Sequence, residues 1–387
     1  MDTPLVSVLM SSYNSSQFLG PAIESILRQT YDPWELIVVD DGSTDESWEI
    51  IGQFAARDAR IKALRSKENL GASAALNLAL QEARGEYITR QDSDDLALPE
   101  RLEKQVAFLN EHPEVGAVGC NVIYINADSH ETGVSDFPLT DDVIQSTLLD
   151  RMCFCGPTVM AKRACFQQAG FYFVDDLKTA EDYDLCLRLA EVTRLANIEE
   201  PLYRYRQHAG SVSLSKRQFQ LVNKARSLEQ AIQRRFGANS ESELYQIVAR
   251  DYLRAAVVGC ASGEMQNSRV CLGKALSYRP DILSVFDLEE LILRYMPKIS
   301  MMAALDYLRT LFEEMLPRNS RLRRLKSKLI AQVYIESAFA REEMGAANMD
   351  QKDLIWRGVR YNPAWLFNRG VVSILVKSLV RRESISG

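Results

Sequence analysis

Long apolar runs are what this sequence most conspicuously lacks. The longest, such as Val371 to Leu375, fall far short of the ~20 residues that cross a bilayer, so no membrane span is expected. The opening Met1-Asp2-Thr3-Pro4 carries no basic stretch and runs straight into the strand-like Leu5-Val6-Ser7-Val8-Leu9-Met10, which predicts no signal peptide. Cysteine is scarce and odd in number, seven in 387 residues, and Cys153-Phe154-Cys155 lacks the Cys-x-x-Cys spacing of a zinc or redox site. Reduced thiols and a cytoplasmic setting are expected. Glycine (19) and proline (12) are too few for a collagen-like or fibrous chain, and 47% apolar with 25% charged residues excludes disorder. No Gly-x-Gly-x-x-Gly follows the first strand, which disfavours a dinucleotide oxidoreductase.

What is present fills two domains. Residues 1–210 hold 18 Lys+Arg against 34 Asp+Glu, a net of −16, whereas residues 211–387 hold 28 against 18, a net of +10. The acidic part repels nucleic acid, and its carboxylates suit hard cations such as Mg²⁺ or Mn²⁺. The basic part has the charge to face an anionic surface or simply to be solvated.

Hydropathy patterning supports that division. Up to about residue 120, β-branched runs (Leu5–Met10, Leu36–Val39, Ile61–Leu64, Tyr87–Thr89) alternate with helical-period segments (Phe18–Arg28, from Ser47, Ala72–Ala83). The alternation predicts an α/β fold with a mostly parallel sheet, whose ligands bind beyond the carboxyl ends of the strands. From about 215 helical periodicity takes over, giving expected domains of 1–214 and 215–387. Within the second, Tyr252 to Pro280 and Tyr334 to Pro363 share a spacing of Tyr, small residues, Gly and a Tyr-x-Pro ending. That is how weak tetratricopeptide-like hairpins read in an all-α domain.

Carboxylates gather where the strands end. The first strand runs into Ser11-Ser12-Tyr13-Asn14, and the second into Asp40-Asp41-Gly42-Ser43-Thr44-Asp45, where Ser43 and Glu46 also fit a capping box. A capped turn does not account for two adjacent carboxylates. An acceptor for a base imide N–H does, with Tyr13 as an aromatic face. The fourth strand ends in Asp92-Ser93-Asp94-Asp95, followed by Pro99 at an expected first helical position. Three carboxylates in four residues repel one another unless a cation sits among them, which predicts a divalent ion with a nucleotide. A third cluster, Glu181-Asp182-Tyr183-Asp184, opens a helix after the aromatic Phe171-Tyr172-Phe173. It supports two readings, acids favoured by the helix dipole or one carboxylate acting as general base on an acceptor.

Taken in order, Val6-Ser7-Val8 to Tyr13-Asn14, Val39-Asp40-Asp41-Gly42-Ser43-Thr44-Asp45, Asn69-Leu70-Gly71, Gly85-Glu86-Tyr87-Ile88, Asp92-Ser93-Asp94-Asp95, Pro99-Glu100-Arg101-Leu102 and Glu181-Asp182 resemble the family 2 inverting glycosyltransferases of bacterial polysaccharide or cell-surface glycan type. The resemblance spans about residues 3 to 215 and implies a GT-A fold, a Rossmann-like nucleotide-diphospho-sugar transferase domain. It implies a nucleoside-diphosphate sugar donor, a UDP-sugar foremost, bound by Ser11, Tyr13, Asp41 and Asp92, with Asp41 reading the base, Tyr13 stacking on it and Asp92 at the ribose. Asp94 would hold Mg²⁺ or Mn²⁺, His208 occupies the place of a metal-side histidine in some relatives, and Asp182 would deprotonate the acceptor hydroxyl. Two departures stand out. Leu76 precedes Asn77 where many relatives have Arg, leaving Arg65, Lys67 and Arg90 as candidate partners of the diphosphate, and Gly156-Pro157 replaces a common His-Pro.

The expected activity is metal-dependent sugar transfer with inversion to a hydroxyl of a glycan or lipid-linked acceptor. A catalytically idle nucleotide-sugar-binding or scaffold protein is the alternative, and Asp92, Asp94 and Asp182 argue against it. In the basic half, six cations from Arg318 to Lys328 accompany Leu322, Leu325 and Leu329 at helical spacing. Two readings apply, a solvated face or peripheral docking on the anionic inner face of the membrane.

Overall fold

The computed structural model describes residues 3–170, 179–208, 217–237, 242–297, 300–340 and 349–375. The chain divides into two compact units, Met1–Ile247 and Val248–Gly387.

The first unit begins with β1 (Val6–Ser12), α1 (Ser16–Leu27), β2 (Trp34–Asp40), α2 (Ser47–Arg57), β3 (Ile61–Arg65), α3 (Ala72–Glu82) and β4 (Tyr87–Arg90). These are the alternating elements expected from periodicity. Every residue of β2 is buried, as a parallel strand covered on both faces requires. Leu19, Ile23 and Ile26 of α1 lie fully buried in the core cluster that holds Val6, Val8, Leu36 and Val38, each such side chain contributing roughly 1.5–3 kcal/mol. Parallel pairing sets Ser12 opposite Asp40, Asp40 opposite Arg65, and Leu9 opposite Arg90, so the carboxyl ends of these strands line one edge.

Beyond β4 the sheet becomes mixed. β5 (Leu96–Ala97), α4 (Arg101–Glu111), β6 (Val115–Ile125), β7 (Glu131–Val134), α5 (Asp141–Leu148), β8 (Met160–Lys162), α6 (Arg163–Gln168), α7 (Glu181–Val192) and β9 (Arg194–Arg206) complete it. The strand order is β3-β2-β1-β4-β8-β6-β9-β5, with β7 paired to β6. β8 runs antiparallel to β4 and β6, while β9 is parallel to β6 and antiparallel to β5. Helix α4 starts at Arg101, so Pro99 lies before the helix and not at its first position; its carbonyl accepts the Thr30 N–H at 2.9 Å.

Helix α8 (Arg217–Phe236) belongs to this unit although helical periodicity places the change after residue 214. Arg234 and Arg235 reach Glu191 of α7 at 2.9 and 3.6 Å, and Lys224 Nζ donates to the Asp150 carbonyl at 2.7 Å. The compact units therefore divide between Ile247 and Val248.

Among the described residues of the second unit there is no strand, and no helix of the described chain is long and apolar enough to cross a membrane. Helices Ser242–Ala261 and Met265–Tyr278 carry the first sequence repeat, and Ser320–Phe339 and Gln351–Tyr361 the second. Each hairpin is closed by the same contact. Tyr252 stacks with Tyr278 (centroids 6.2 Å apart, planes at 8°) and Tyr334 with Tyr361 (6.1 Å, 15°). A cation four residues before the second Tyr lies over the first ring, Lys274 at 4.9 Å and Arg357 at 6.0 Å. Small residues stand at matching positions, Ala275 fully buried and Gly358, where an added Cβ would meet Ile335 Cδ1 at 2.8 Å.

The basic segment starts at Arg318, just before helix Ser320–Phe339, and continues into it, with Leu322 and Leu329 buried and Leu325 half-buried. Half of its cations serve the unit's own packing. Arg321 Nη1 donates to the Ser284 carbonyl at 2.7 Å, Lys326 pairs with Glu313 at 2.5 Å and Lys328 with Glu289 at 2.7 Å. Arg318, Arg323 and Arg324 face solvent.

Candidate active site

The edge defined by the strand ends is sewn together by side chains accepting backbone N–H groups. Ser43 Oγ accepts from Asn14 N (2.9 Å), Asn14 Oδ1 from Thr44 N (2.9 Å), and Asp45 from Ser16 N and Ser47 N (both 3.0 Å). The capping box read from Ser43 and Glu46 does not form, because Asp45 takes the helix-start N–H and Ser43 turns to the β1 loop. These bonds hold the Asp45 carboxyl down at about 2, against burial.

Asp40 and Asp41 divide their duties. Asp40 is fully buried and faces Arg65 Nε at 3.1 Å. Asp41, also buried, accepts Leu70 N at 2.9 Å and Gly71 N at 2.8 Å, one on each carboxylate oxygen. The Asn69-Leu70-Gly71 motif is thus positioned by Asp41, and each oxygen keeps a lone pair for a base imide. Gly42 must be glycine, since φ is 74° and a Cβ would lie 2.7 Å from the Glu68 carbonyl carbon. Gly42, Ser43, Thr44, Arg65, Ser66 and Lys67 line an open cleft of about 430 Å³, and nearby Tyr13 is 47% exposed.

The Asp92–Asp95 loop follows β4. Each carboxylate of this loop has its own protein partner. Asp92 Oδ1 is 3.0 Å from Arg90 Nη2, and Asp92 N donates to the Tyr203 hydroxyl at 3.2 Å. Asp94 Oδ2 is 3.0 Å from His208 Nε2. Asp95 is buried and accepts the Arg206 N–H at 2.7 Å, while Arg206 Nε donates to the Asp94 carbonyl at 2.7 Å. Burial first, then Asp94 and Asp92, push the Asp95 carboxyl well up. Asp95 therefore anchors the loop to β9, and Asp92 and Asp94 stay partly accessible.

Asp94 and His208 suit a divalent ion by their chemistry. Carboxylate oxygen and imidazole nitrogen 3.0 Å apart match adjacent ligands of an octahedral ion with bonds of roughly 2.1 Å. Among the described residues no group of three or more His, Cys, Asp or Glu could hold a metal, so these two would leave further positions to phosphate and water.

Asp182 sits in the first turn of α7. Its Oδ1 accepts the Tyr183 N–H at 2.7 Å, and its carboxyl packs so tightly on Gly156 that an added Cβ would lie 2.3 Å from Oδ2. Burial, then Glu181, push the Asp182 carboxyl up to about 6 against the opposing pull of Arg90. Asp184 has a separate role, pairing with Arg188 at 2.7 Å inside the core. The aromatic Phe171–Phe173 segment expected beside Asp182 lies outside the described residues.

Arg90 departs from its sequence-based candidacy as a diphosphate partner. It is 8% exposed and joins Asp92 to Glu181, the latter at 3.2 Å. Arg101, read only as part of a motif, is fully buried and donates to Gln105, Gln91, Thr89, the Arg90 carbonyl and the Pro157 carbonyl.

The Glycosyl transferase family 2 profile matches residues 7–169. EpsE of Bacillus subtilis (strain 168) is 40% identical over 208 residues, 53% of this chain and 73% of EpsE. The Escherichia coli UDP-Glc:alpha-D-GlcNAc-diphosphoundecaprenol beta-1,3-glucosyltransferase WfaP is 33% identical over 215 residues, 55% of this chain and 81% of WfaP. The chain belongs to the family 2 glycosyltransferases. Its fold is shared with the crystal structure of S. aureus TarS 1–349 in complex with UDP, at a TM-score of 0.55 and 20% identity over 87% of this chain and 91% of that one. As a family 2 glycosyltransferase it carries a GT-A domain followed by helices. The two sequence relatives match little more than half of this chain.

Proposed function

We propose that this glycosyltransferase moves a sugar, with inversion, from a UDP-sugar to a hydroxyl of a lipid-linked or other glycan acceptor in bacterial polysaccharide assembly. The observation that carries the reading is the Asp92–Arg90–Glu181 chain, which brings a donor-loop carboxylate into electrostatic contact with the helix start that bears Asp182. Asp182 is the general base. A carboxyl titrating at about 6 is ionised at neutral pH yet basic enough to take a hydroxyl proton as the sugar bond forms.

Ser11, Tyr13, Asp41 and Asp92 bind the nucleoside. Asp41 accepts from the base, Tyr13 offers its exposed ring for stacking, and Asp92 meets the ribose. Asp94 and His208 hold Mg²⁺ or Mn²⁺, whose chemistry when bound is to neutralise charge on the departing nucleoside diphosphate. Arg65 and Lys67, lining the cleft beside Gly42, remain as cations for the diphosphate. WfaP is named for a UDP-Glc donor and a diphosphoundecaprenol-linked acceptor, and TarS has been crystallised with UDP and with UDP-GlcNAc; both support the donor class. A lipid-linked acceptor makes peripheral contact with an anionic membrane useful, through Arg318, Arg323 and Arg324.

Mass spectrometry of products from a panel of nucleotide sugars tests the reading, with Asp182→Asn alongside. Turnover of a UDP-sugar is expected, falling at least about 10²-fold in the variant while UDP affinity is nearly kept. A panel without UDP-sugar turnover, or a variant keeping more than about a tenth of kcat, overturns it.

A further inference from the structure

Arg90, whose charge acts on Asp182, is held between two carboxylates. Arg90 is enclosed at the end of β4, its Nη2 3.0 Å from Asp92 Oδ1 and its Nη1 3.2 Å from Glu181 Oε1. These carboxylates come from different elements. Asp92 belongs to the donor loop, and Glu181 is the first residue of α7, next to Asp182.

The setting of Arg90 is in turn fixed by Arg101. One Arg101 nitrogen, Nη2, donates both to the Arg90 carbonyl at 2.9 Å and to the Pro157 carbonyl at 2.7 Å. Pro157 follows Gly156, against whose backbone Asp182 packs. Two buried guanidiniums thus link the donor loop, the Gly156–Thr158 turn and the α7 start. Breaking a buried pair by removing one partner leaves an uncompensated charge, so each member matters to the other.

We propose that Arg90 and Glu181 are a positioning pair which ties the donor loop to the helix start bearing Asp182 and presents the base with opposite charges. The proposal rests on Asp182 being the base. Among the described residues, the groups acting on Asp182 are Glu181 beside it, Arg90 and Asp92 from the end of β4 and its loop, and the thiols of Cys155 and Cys186. Burial drives both thiols well up, so they stay neutral in the working range. Among the described residues Arg90 is a cation acting on Asp182, and Glu181 acts on it more strongly than Asp92.

The signs then follow. Without the Arg90 charge, Asp182 loses the cation that opposes Glu181 and Asp92 and ionises at higher pH; without the Glu181 charge, it ionises at lower pH. Loss of packing alone would not move two variants in opposite directions.

The test uses the full chain with Arg90→Met, Arg90→Lys, Glu181→Gln and Asp182→Asn, following kcat against pH and UDP affinity by calorimetry. The acid limb of kcat should move up by about one pH unit in Arg90→Met, down by about one in Glu181→Gln, and return close to wild type in Arg90→Lys. UDP affinity should fall several-fold in Arg90→Met, which frees Asp92, and stay within about twofold in Glu181→Gln. Limbs that move together, or neither moving, overturn the pair. Glu181→Gln is nearly isosteric and decides the matter if Arg90→Met does not fold, because an unshifted limb there is itself a refutation. Asp182→Asn separates the two ideas. Full activity in that variant defeats the base assignment, whereas an inactive Asp182→Asn with unshifted pair variants defeats the pair alone.

Discussion

A single carbon added to Gly156 would lie 2.3 Å from Oδ2 of Asp182 and 2.7 Å from its Cβ. No side chain fits there while Asp182 keeps its position. Glycine here and this setting of Asp182 belong together.

Gly156→Ala should therefore act on turnover more than on binding. Overpacking costs about 1–3 kcal/mol of stability, and a base displaced by about an ångström loses on the order of 10²-fold in rate. Steady-state kinetics with UDP calorimetry check this. Wild-type kcat in a folded Gly156→Ala protein would show that Asp182 is not held as described.

Asp94 and His208 should make nucleotide and metal binding interdependent. Mn²⁺ is expected to tighten UDP binding by roughly 5- to 150-fold, and His208→Ala or Asp94→Ala should remove most of that gain. Calorimetry of UDP with and without Mn²⁺ reads the effect without relying on activity. Equal affinities in the two conditions would sink the ligand assignment.

The basic helix gives a weaker expectation than its composition alone. With Arg321, Lys326 and Lys328 engaged inside the unit, three outward cations remain, each worth about 1 kcal/mol near an anionic surface. Binding to anionic vesicles that vanishes on neutral ones, in high salt, and in the Arg318→Glu, Arg323→Glu, Arg324→Glu triple variant is the expected pattern. Binding indifferent to lipid charge rejects the docking surface.

Strand and helix positions up to β4 were legible because each buried strand is a short β-branched run and each helix shows its apolar period. The mixed half of the sheet was not. β5 is two residues long, and β9 pairs with β6 through register shifts, so neither leaves a clean alternation. The carboxylate clusters were visible, but their division of labour was not. Whether Asp95 or Asp94 turns inward is decided by Arg206, 111 residues further on from Asp95, and no local pattern carries that information. The same holds for Arg90, whose fate depends on Glu181. Ser43 and Glu46 misled for the converse reason, since the local motif was present and Asp45 outcompeted it. Helical periodicity set the expected boundary at residue 214, but α8 stays with the first unit through Glu191.

The recurring tyrosine stack has an evolutionary reading. A hairpin closed by three of its own side chains, Tyr252, Lys274 and Tyr278 in one copy and Tyr334, Arg357 and Tyr361 in the other, brings its fastening with it when its coding segment is duplicated. Such a segment can be gained or lost by unequal exchange without redesigning a core, because the closing contact is inherited whole. Each hairpin of the helical half is thus fastened locally, while the carboxylate-bearing half is fastened by contacts that span a hundred residues, such as Asp95 to Arg206.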